Sequence, residues 1–255
     1  MPENWKTIAA SVPGTAHVRR DAACQDAFAF RVFDTNAGEV LTIAVADGAG
    51  SAKFAKEGAR VACNFFVSGI AALLENGGKV LDLNEEFFFG FLKTLPHQLI
   101  THSENADLND YACTFLAVAA SATETVFAQI GDGAIVYSSE LDEFRLFAVP
   151  QQGEYANTTN FVTDESAAEK FQFRYFENRI EELAIFTDGL QRLAIDFQSK
   201  QPHQPFFRSM LAPLRAHLPA TNLEEKLSAF LNSPKINERT DDDKTLILAS
   251  RFKNE

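Results

Sequence analysis

Residues 26–48 read DAFAFRVFDTNAGEVLTIAVADG, from Asp26 to Gly48, and the rest of the chain is best read outward from them. Asp26 to Phe33 alternates apolar residues with polar or small ones, the period of a strand. Asp34-Thr35-Asn36-Ala37-Gly38 supplies a turn. Val40 to Ala46 is a near-continuous apolar run that stops at Asp47-Gly48, as a fully buried strand would. Two strands joined by so short a connection predict an antiparallel sheet.

Beyond Gly48 the period changes. Phe54, Gly58, Val61, Ala62, Phe65, Phe66, Gly69, Ile70, Leu73 and Leu74 recur at three and four, with Lys56, Glu57, Arg60 and Asn64 between them. This predicts an amphipathic helix closed by Asn76-Gly77-Gly78. A second helical pattern runs from Asn84 to Leu95, and Pro96 marks a kink or restart. Strands return at Tyr111 to Ala120, Glu124 to Ile130 and Ala134 to Ser138, the last two joined through Gly131-Asp132-Gly133. Asn4 to Val12, before Pro13-Gly14, reads as an edge strand.

Val149 to Arg179 shows no sustained period, as in a functional lid or a disordered segment. Glu182 to Thr187 is a strand ending in Asp188-Gly189, and Leu190 to Leu231 is helical, broken by prolines. The run Asp241-Asp242-Asp243 precedes a closing strand, Lys244 to Ser250. Strands and helices do not alternate strictly, and the long helices are grouped. The expected class is therefore α+β, with antiparallel sheets sandwiched between helix layers. No internal repeat or linker interrupts the chain, so residues 1–255 read as a single domain.

Composition narrows the partners. With 23 basic against 35 acidic residues the net charge is −12, and no Lys/Arg run offers the footprint that nucleic acid or an anionic membrane requires. Apolar residues make up 46% and include 24 Phe, which excludes a disordered chain. No run approaches the roughly 18 consecutive apolar residues of a membrane span, and no apolar segment of a signal peptide opens the chain. Three cysteines without paired spacing (Cys24, Cys63, Cys113) suit a reducing compartment, so a cytoplasmic location is expected.

Five places put an aspartate at the end or start of an apolar strand: Asp26, Asp47, Asp132, Asp188 and Asp242. Three are followed by glycine. Taken singly, each Asp-Gly is an ordinary turn, and the Asp241–Asp243 run an ordinary solvated loop. Taken together, they can meet only if a cation offsets their charge, because neighbouring carboxylates raise one another's pKa. Mg²⁺ and Mn²⁺ fit all-oxygen donors, and glycine lets a carbonyl approach the ion. His97, His102, His203 and His217 lie outside these motifs, which disfavours zinc. Two such ions can share a water, lower its pKa and neutralise a phosphoryl group, which favours direct hydrolysis of a phosphate ester.

In order along the chain stand Cys24-Gln25-Asp26-Ala27, Val45-Ala46-Asp47-Gly48-Ala49-Gly50, Ala112-Cys113-Thr114, Ile130-Gly131-Asp132-Gly133, Phe186-Thr187-Asp188-Gly189-Leu190 and Asp242-Asp243-Lys244-Thr245. In this order the motifs resemble those of metal-dependent protein phosphatases of the 2C type, the PPM family. The chain is most similar to a small bacterial branch with a GEYAN segment, here Gly153 to Asn157. The resemblance implies a four-layer α/β/β/α sandwich with two Mn²⁺ or Mg²⁺ ions, and a weaker third. On it, Asp47 bridges both ions, the Gly48 carbonyl binds one, Asp188 and Asp242 hold the first, and Asp26 stands in the water-mediated shell of the second.

The resemblance also assigns Asp132, with Asp188, to the third-metal site, Thr114 to a structural strand position, and Pro150–Thr163 to a flap. Departures are visible. Asp21 falls where the family carries its phosphate-binding arginine, leaving Arg19, Arg20 or His17 as substitutes. Gln25 replaces a glutamate, and Ala49 stands where animal relatives have a histidine, so the leaving group takes its proton from solvent or metal-bound water. The implied activity is a serine/threonine protein phosphatase acting on phosphoproteins, opposite a bacterial Ser/Thr kinase and its targets. A small-molecule phosphate-ester hydrolase and a non-catalytic sensing module are the alternatives.

Overall fold

The computed structural model describes residues 3–100, 107–151, 159–216 and 220–253. In chain order the elements are β1 (Glu3–Val12), α1 (Thr15–Arg19), β2 (Ala27–Thr35), β3 (Gly38–Ala46), α2 (Ala55–Glu75), α3 (Glu85–Ile100), β4 (Phe115–Ala120), β5 (Thr125–Ile130), β6 (Ala134–Ser138) and β7 (Arg145–Leu146). There follow α4 (Ala167–Lys170), β8 (Gln172–Phe176), β9 (Glu182–Phe186), α5 (Gln191–Ala194), β10 (Ile195–Asp196), β11 (Gln201–Pro202), α6 (Gln204–Arg215), α7 (Ala220–Leu231), α8 (Pro234–Asn237) and β12 (Lys244–Lys253). Single 3₁₀ turns lie at Val80–Asp82, Leu108–Tyr111 and Asp188–Leu190. These elements fall into two compact units, one of residues 25–133 and 150–179, the other of residues 1–24, 134–149 and 180–255.

The first unit carries a five-stranded antiparallel sheet, ordered β2-β3-β4-β5-β8. The expected hairpin is there: β2 and β3 pair from Ala27↔Ala46 to Thr35↔Gly38, and Gly38 closes the turn at φ +104°. On one sheet face Ala44, Ala46, Phe115, Ala117, Val126 and Ala128 join a core with Val61, Ala62, Phe66 and Ile70 of α2 and with α3. The opposite row, Leu41, Ile43, Val45, Leu116 and Val118, is equally buried, which is why VLTIAVA shows no alternation. The Phe66 ring meets Phe91 and Phe115 edge-on at 5.9 and 5.5 Å, contacts that add to area burial through the ring quadrupoles.

Length and composition would let α2 cross a bilayer, yet its apolar stripe is spent on this core. Its Gly58 is required by contact: a Cβ there would lie 2.1 Å from the Tyr111 carbonyl oxygen. Pro96 neither ends nor restarts α3, which runs through it to Ile100. The segment without sustained period holds α4 and the edge strand β8, whose Phe171, Phe173 and Tyr175 side pack on the same core.

The second unit carries an antiparallel sheet ordered β1-β12-β9-β6-β7 and a two-residue ribbon, β10 with β11. β5 and β6 are separated only by Gly131-Asp132-Gly133 but enter different sheets. β1 and β12 pair over ten residues, from Glu3↔Lys253 to Val12↔Lys244. Phe207, Leu211 and Leu214 of α6 and Leu223, Leu227 and Leu231 of α7 repeat at three and four residues. They pack on Ile8, Val136, Ala184, Phe186 and Leu248 of the sheet. The fully buried Glu182 carboxylate is held at 2.8 Å by both Nε and Nη2 of Arg215, which also hydrogen-bonds Asp142. The two antiparallel sheets with their packed helices give the α+β class expected from sequence.

Candidate metal centre

The sheet registers decide where the aspartates go. In the first unit Ala27 pairs with Ala46, so Asp26, one residue before β2, and Asp47, one residue after β3, emerge at the same sheet end. Phe115 pairs with Ile130, which brings Thr114 and the turn with Asp132 to that end as well. Asp26 is only 5% exposed; Asp47 and Asp132 are partly buried. A carboxylate buried as deeply as Asp26 requires a counter-charge or hydrogen bonds to remain ionised.

Backbone bonds fix Asp47. Its amide donates to Thr114 Oγ1 at 2.9 Å, and its carbonyl accepts from the Thr114 amide at 2.8 Å. Gly48 bridges to Cys113, and the Ala49 amide donates to the Ala112 carbonyl. A Cβ on Gly48 would sit 2.6 Å from the Ala55 carbonyl, so the backbone here is packed too closely for any side chain. The following turn is pinned likewise: Gly131 has φ +106°, its amide donates to Gln151 Oε1 at 2.9 Å, and a Cβ would strike Thr114. Cys113 and Cys63 line the same end. Burial, and then the charge of Asp47, pushes the Cys113 thiol up; burial, Cys113 and Asp26 push Cys63 up, so both stay protonated.

In the second unit, Phe186 of β9 pairs with Ala134 and Leu246, so Asp188 and the Asp241–Asp243 run share one sheet end. The Thr245 amide donates to Thr187 Oγ1 at 3.1 Å, and a Cβ on Gly189 would lie 2.0 Å from the Asp243 carbonyl oxygen. The three consecutive aspartates have three different surroundings. Asp241 is exposed and pairs with Arg19 at 3.3 Å. Asp242 is exposed at the sheet end, accepting the Asp243 amide on Oδ1 at 2.9 Å. Asp243, 2% exposed, accepts the Gly14 amide at 2.7 Å and bonds His17 Nδ1 at 2.8 Å. Lys244 Nζ donates to Asn237 Oδ1 at 3.0 Å and to the Asp242 carbonyl at 3.3 Å.

Of the cations considered for phosphate, His17 is therefore engaged by Asp243 and Arg19 by Asp241, while Arg20 is exposed beside α1. Sequence reasoning missed α1 and the role of Asp243. The GEYAN segment lies outside the described residues, as does half of the expected flap. Beyond it, the described ends of that stretch are anchored: Asn160 Nδ2 donates to Gln151 Oε1, and the Val162 amide to the Cys113 carbonyl.

A family model described as protein phosphatase 2C matches residues 13–232. The chain belongs to the protein phosphatase 2C family. Serine/threonine-protein phosphatase 3 of Escherichia coli (strain K12) is 39% identical over 254 residues, covering 96% of this chain and 98% of that protein. Two solved structures share the protein phosphatase 2C fold at 14% identity. Serine/threonine phosphatase Stp1 from Staphylococcus aureus has a TM-score of 0.62, covering 98% of this chain and 96% of that one. The catalytic domain of the serine/threonine protein phosphatase PstP, in complex with two manganese ions, has a TM-score of 0.59, covering 98% and 99%.

Among the described residues, no three His, Cys, Asp or Glu side chains form a ready-made metal cage. The donor set nonetheless fits a hard divalent cation. Each sheet end offers carboxylates and the carbonyls of glycines packed too tightly for a side chain, and the neighbouring thiols are held neutral. Mg²⁺ and Mn²⁺ take a few such oxygens and keep several waters.

Proposed function

We propose that this member of the 2C family is a metal-dependent protein-serine/threonine phosphatase that hydrolyses phosphoserine and phosphothreonine without a covalent intermediate. The observation that carries it is the likeness, over nearly the whole chain, to a serine/threonine-protein phosphatase. The all-oxygen donor set supports it. Two divalent ions bound by these residues would supply charge neutralisation and an acidified water.

In this reading Asp47 and the Gly48 carbonyl would be ligands to the ions, and Asp26 would orient water beside one of them. Asp188 and Asp242 would be ligands as well, and Asp132 with Asp188 would serve a weaker third ion. The Asp47 backbone, bonded in both directions to Thr114, fixes the point from which its carboxylate extends. Asp243 orients rather than ligates, tying the Gly14 turn and His17 to the loop that carries Asp242. Arg19 at the end of α1 and Arg20 just after it are the cations for the phosphoryl oxygens. Two ions would change the formal charge from −12 to −8, so phosphoprotein substrates are drawn by the local field against an unfavourable global one. The setting is a bacterial cytoplasm, opposite a Ser/Thr kinase, in keeping with three cysteines that remain thiols.

Purified protein is expected to hydrolyse an aryl phosphate and a phosphothreonine peptide with Mn²⁺ or Mg²⁺, and to stop with EDTA or on Asp47→Asn or Asp188→Asn. Turnover that survives chelation and both substitutions overturns the mechanism. Hydrolysis of the aryl phosphate without the peptide would replace the protein substrate by a small phosphate ester.

A further inference from the structure

α2 and α3 do not close on each other along their whole length. Between them lies a cavity of about 450 Å³, within the size range of ligand pockets in general. Its walls are the rings of Phe65, Phe66, Phe87 and Phe91, which hold one another at centroid distances of 5.6 to 6.3 Å. Gly69 of α2 and Gly90 of α3 face the space. Glycine in a helix interior costs stability relative to alanine, so its presence twice calls for a reason. Backbone conformation does not supply one, because neither has a positive φ. Nor does close packing: a Cβ on Gly90 would meet nothing within 4 Å, and one on Gly69 only the Phe87 ring at 3.9 Å. What the two glycines do is keep the cavity open.

The chemistry of the mouth is one-sided. Both charged residues that line it, Asp82 and Glu86, are acidic and exposed, and the chain as a whole is at −12. Lys79 and Lys93, in the same segments, lie outside the lining. Apolar surface adjoins the mouth at Leu81, which precedes Asp82 and is 50% exposed. A small organic cation seated in the cavity would leave Leu81 in water, whereas a length of polypeptide can cover it as well.

We propose that the α2–α3 cleft is a docking pocket for a segment of a partner protein that presents Phe or Leu beside Lys or Arg. The large apolar side chain enters the four-phenylalanine cavity, and the cation meets Glu86 and Asp82 at its mouth. The site is independent of the metal-binding aspartates and would serve a partner whether or not it is dephosphorylated.

The test uses the intact protein and a set of short, labelled, unphosphorylated peptides pairing Phe or Leu with Arg, followed by fluorescence anisotropy. Saturable binding that weakens with salt is expected. Gly90→Leu, which fills the cavity, should weaken it about tenfold or more, or 1.4 kcal/mol. Glu86→Lys should weaken it several-fold and remove most of the salt dependence. Gly90→Ala should fold with a raised melting temperature. All three variants should hydrolyse an aryl phosphate with Mn²⁺ as the parent does, so loss of hydrolysis in the parent would bear on the proposed function and not on the pocket.

Four results overturn the docking site: no saturation at about 1 mM peptide, equal binding of peptides with Glu in place of Arg, unchanged binding by Gly90→Leu, and binding of phenethylammonium without binding of any peptide.

Discussion

Thr114→Val removes one oxygen at the point where the Asp47 backbone is held. Thr114 is 2% exposed, and its Oγ1 accepts the Asp47 amide at 2.9 Å. Valine keeps the shape and leaves that amide without its acceptor, which costs about 1–3 kcal/mol for a partly buried donor. For a chain of this size the loss corresponds to a fall in Tm of about 2–6 °C. Thr114→Ser is the control: it keeps the acceptor and loses only a methyl group, about 1 kcal/mol. Calorimetry gives the size of the effect, and amide hydrogen exchange gives its origin. Exchange at Asp47 should be protected in the parent and in Thr114→Ser, and accelerated in Thr114→Val. If the serine variant lost as much protection as the valine variant, the hydroxyl would not be what holds Asp47. The valine variant should also need more Mn²⁺ for half-maximal turnover, because the Asp47 carboxylate is then free to wander.

Arg215→Ala strands the fully buried Glu182 carboxylate and should lower stability by about 3 kcal/mol, the low end for a broken buried pair, since Arg215 keeps a quarter of its side chain in water; urea midpoints measure it, and an unchanged midpoint refutes it. The Arg215 hydrogen bond holds the Asp142 carboxyl below the usual carboxylate range. A depressed native pKa contributes stability above about pH 3.9 that is lost as pH falls through the lowered value, so Asp142→Asn should flatten this part of the acid limb of a stability–pH curve. Gly189→Ala sets a Cβ 2.0 Å from the Asp243 carbonyl and should cost about 3 kcal/mol, with turnover falling as the Asp188 turn is displaced; wild-type stability would mean that the two loops are not in contact.

Much of this was legible in the residues. The β2–β3 hairpin and α2 lie within one or two residues of their expected bounds, because an unbroken apolar run and a three–four stripe each admit few other structures. β8 escaped notice although Phe171, Phe173 and Tyr175 alternate with Gln172 and Arg174; the polar stretch before it masked a period only five residues long. The split after β5 was invisible, since Gly131-Asp132-Gly133 would serve equally well as a hairpin turn. The aspartates at strand ends could be picked out because their neighbours are apolar. Which member of the Asp241–Asp243 run is buried could not, because that depends on Gly14 and His17 at the other extremity of the sequence.

That same distance has a consequence for synthesis. β1 precedes its partner β12 in the chain with the other ten strands between them, so its ten residues must wait with their hydrogen-bonding edge unsatisfied until β12 has been made. The sheet of residues 25–133 and 150–179 has all its strands in hand well before then. Assembly on the ribosome therefore starts with that sheet, and a nascent chain stalled short of Lys244 would expose β1 to chaperones or to a neighbouring copy.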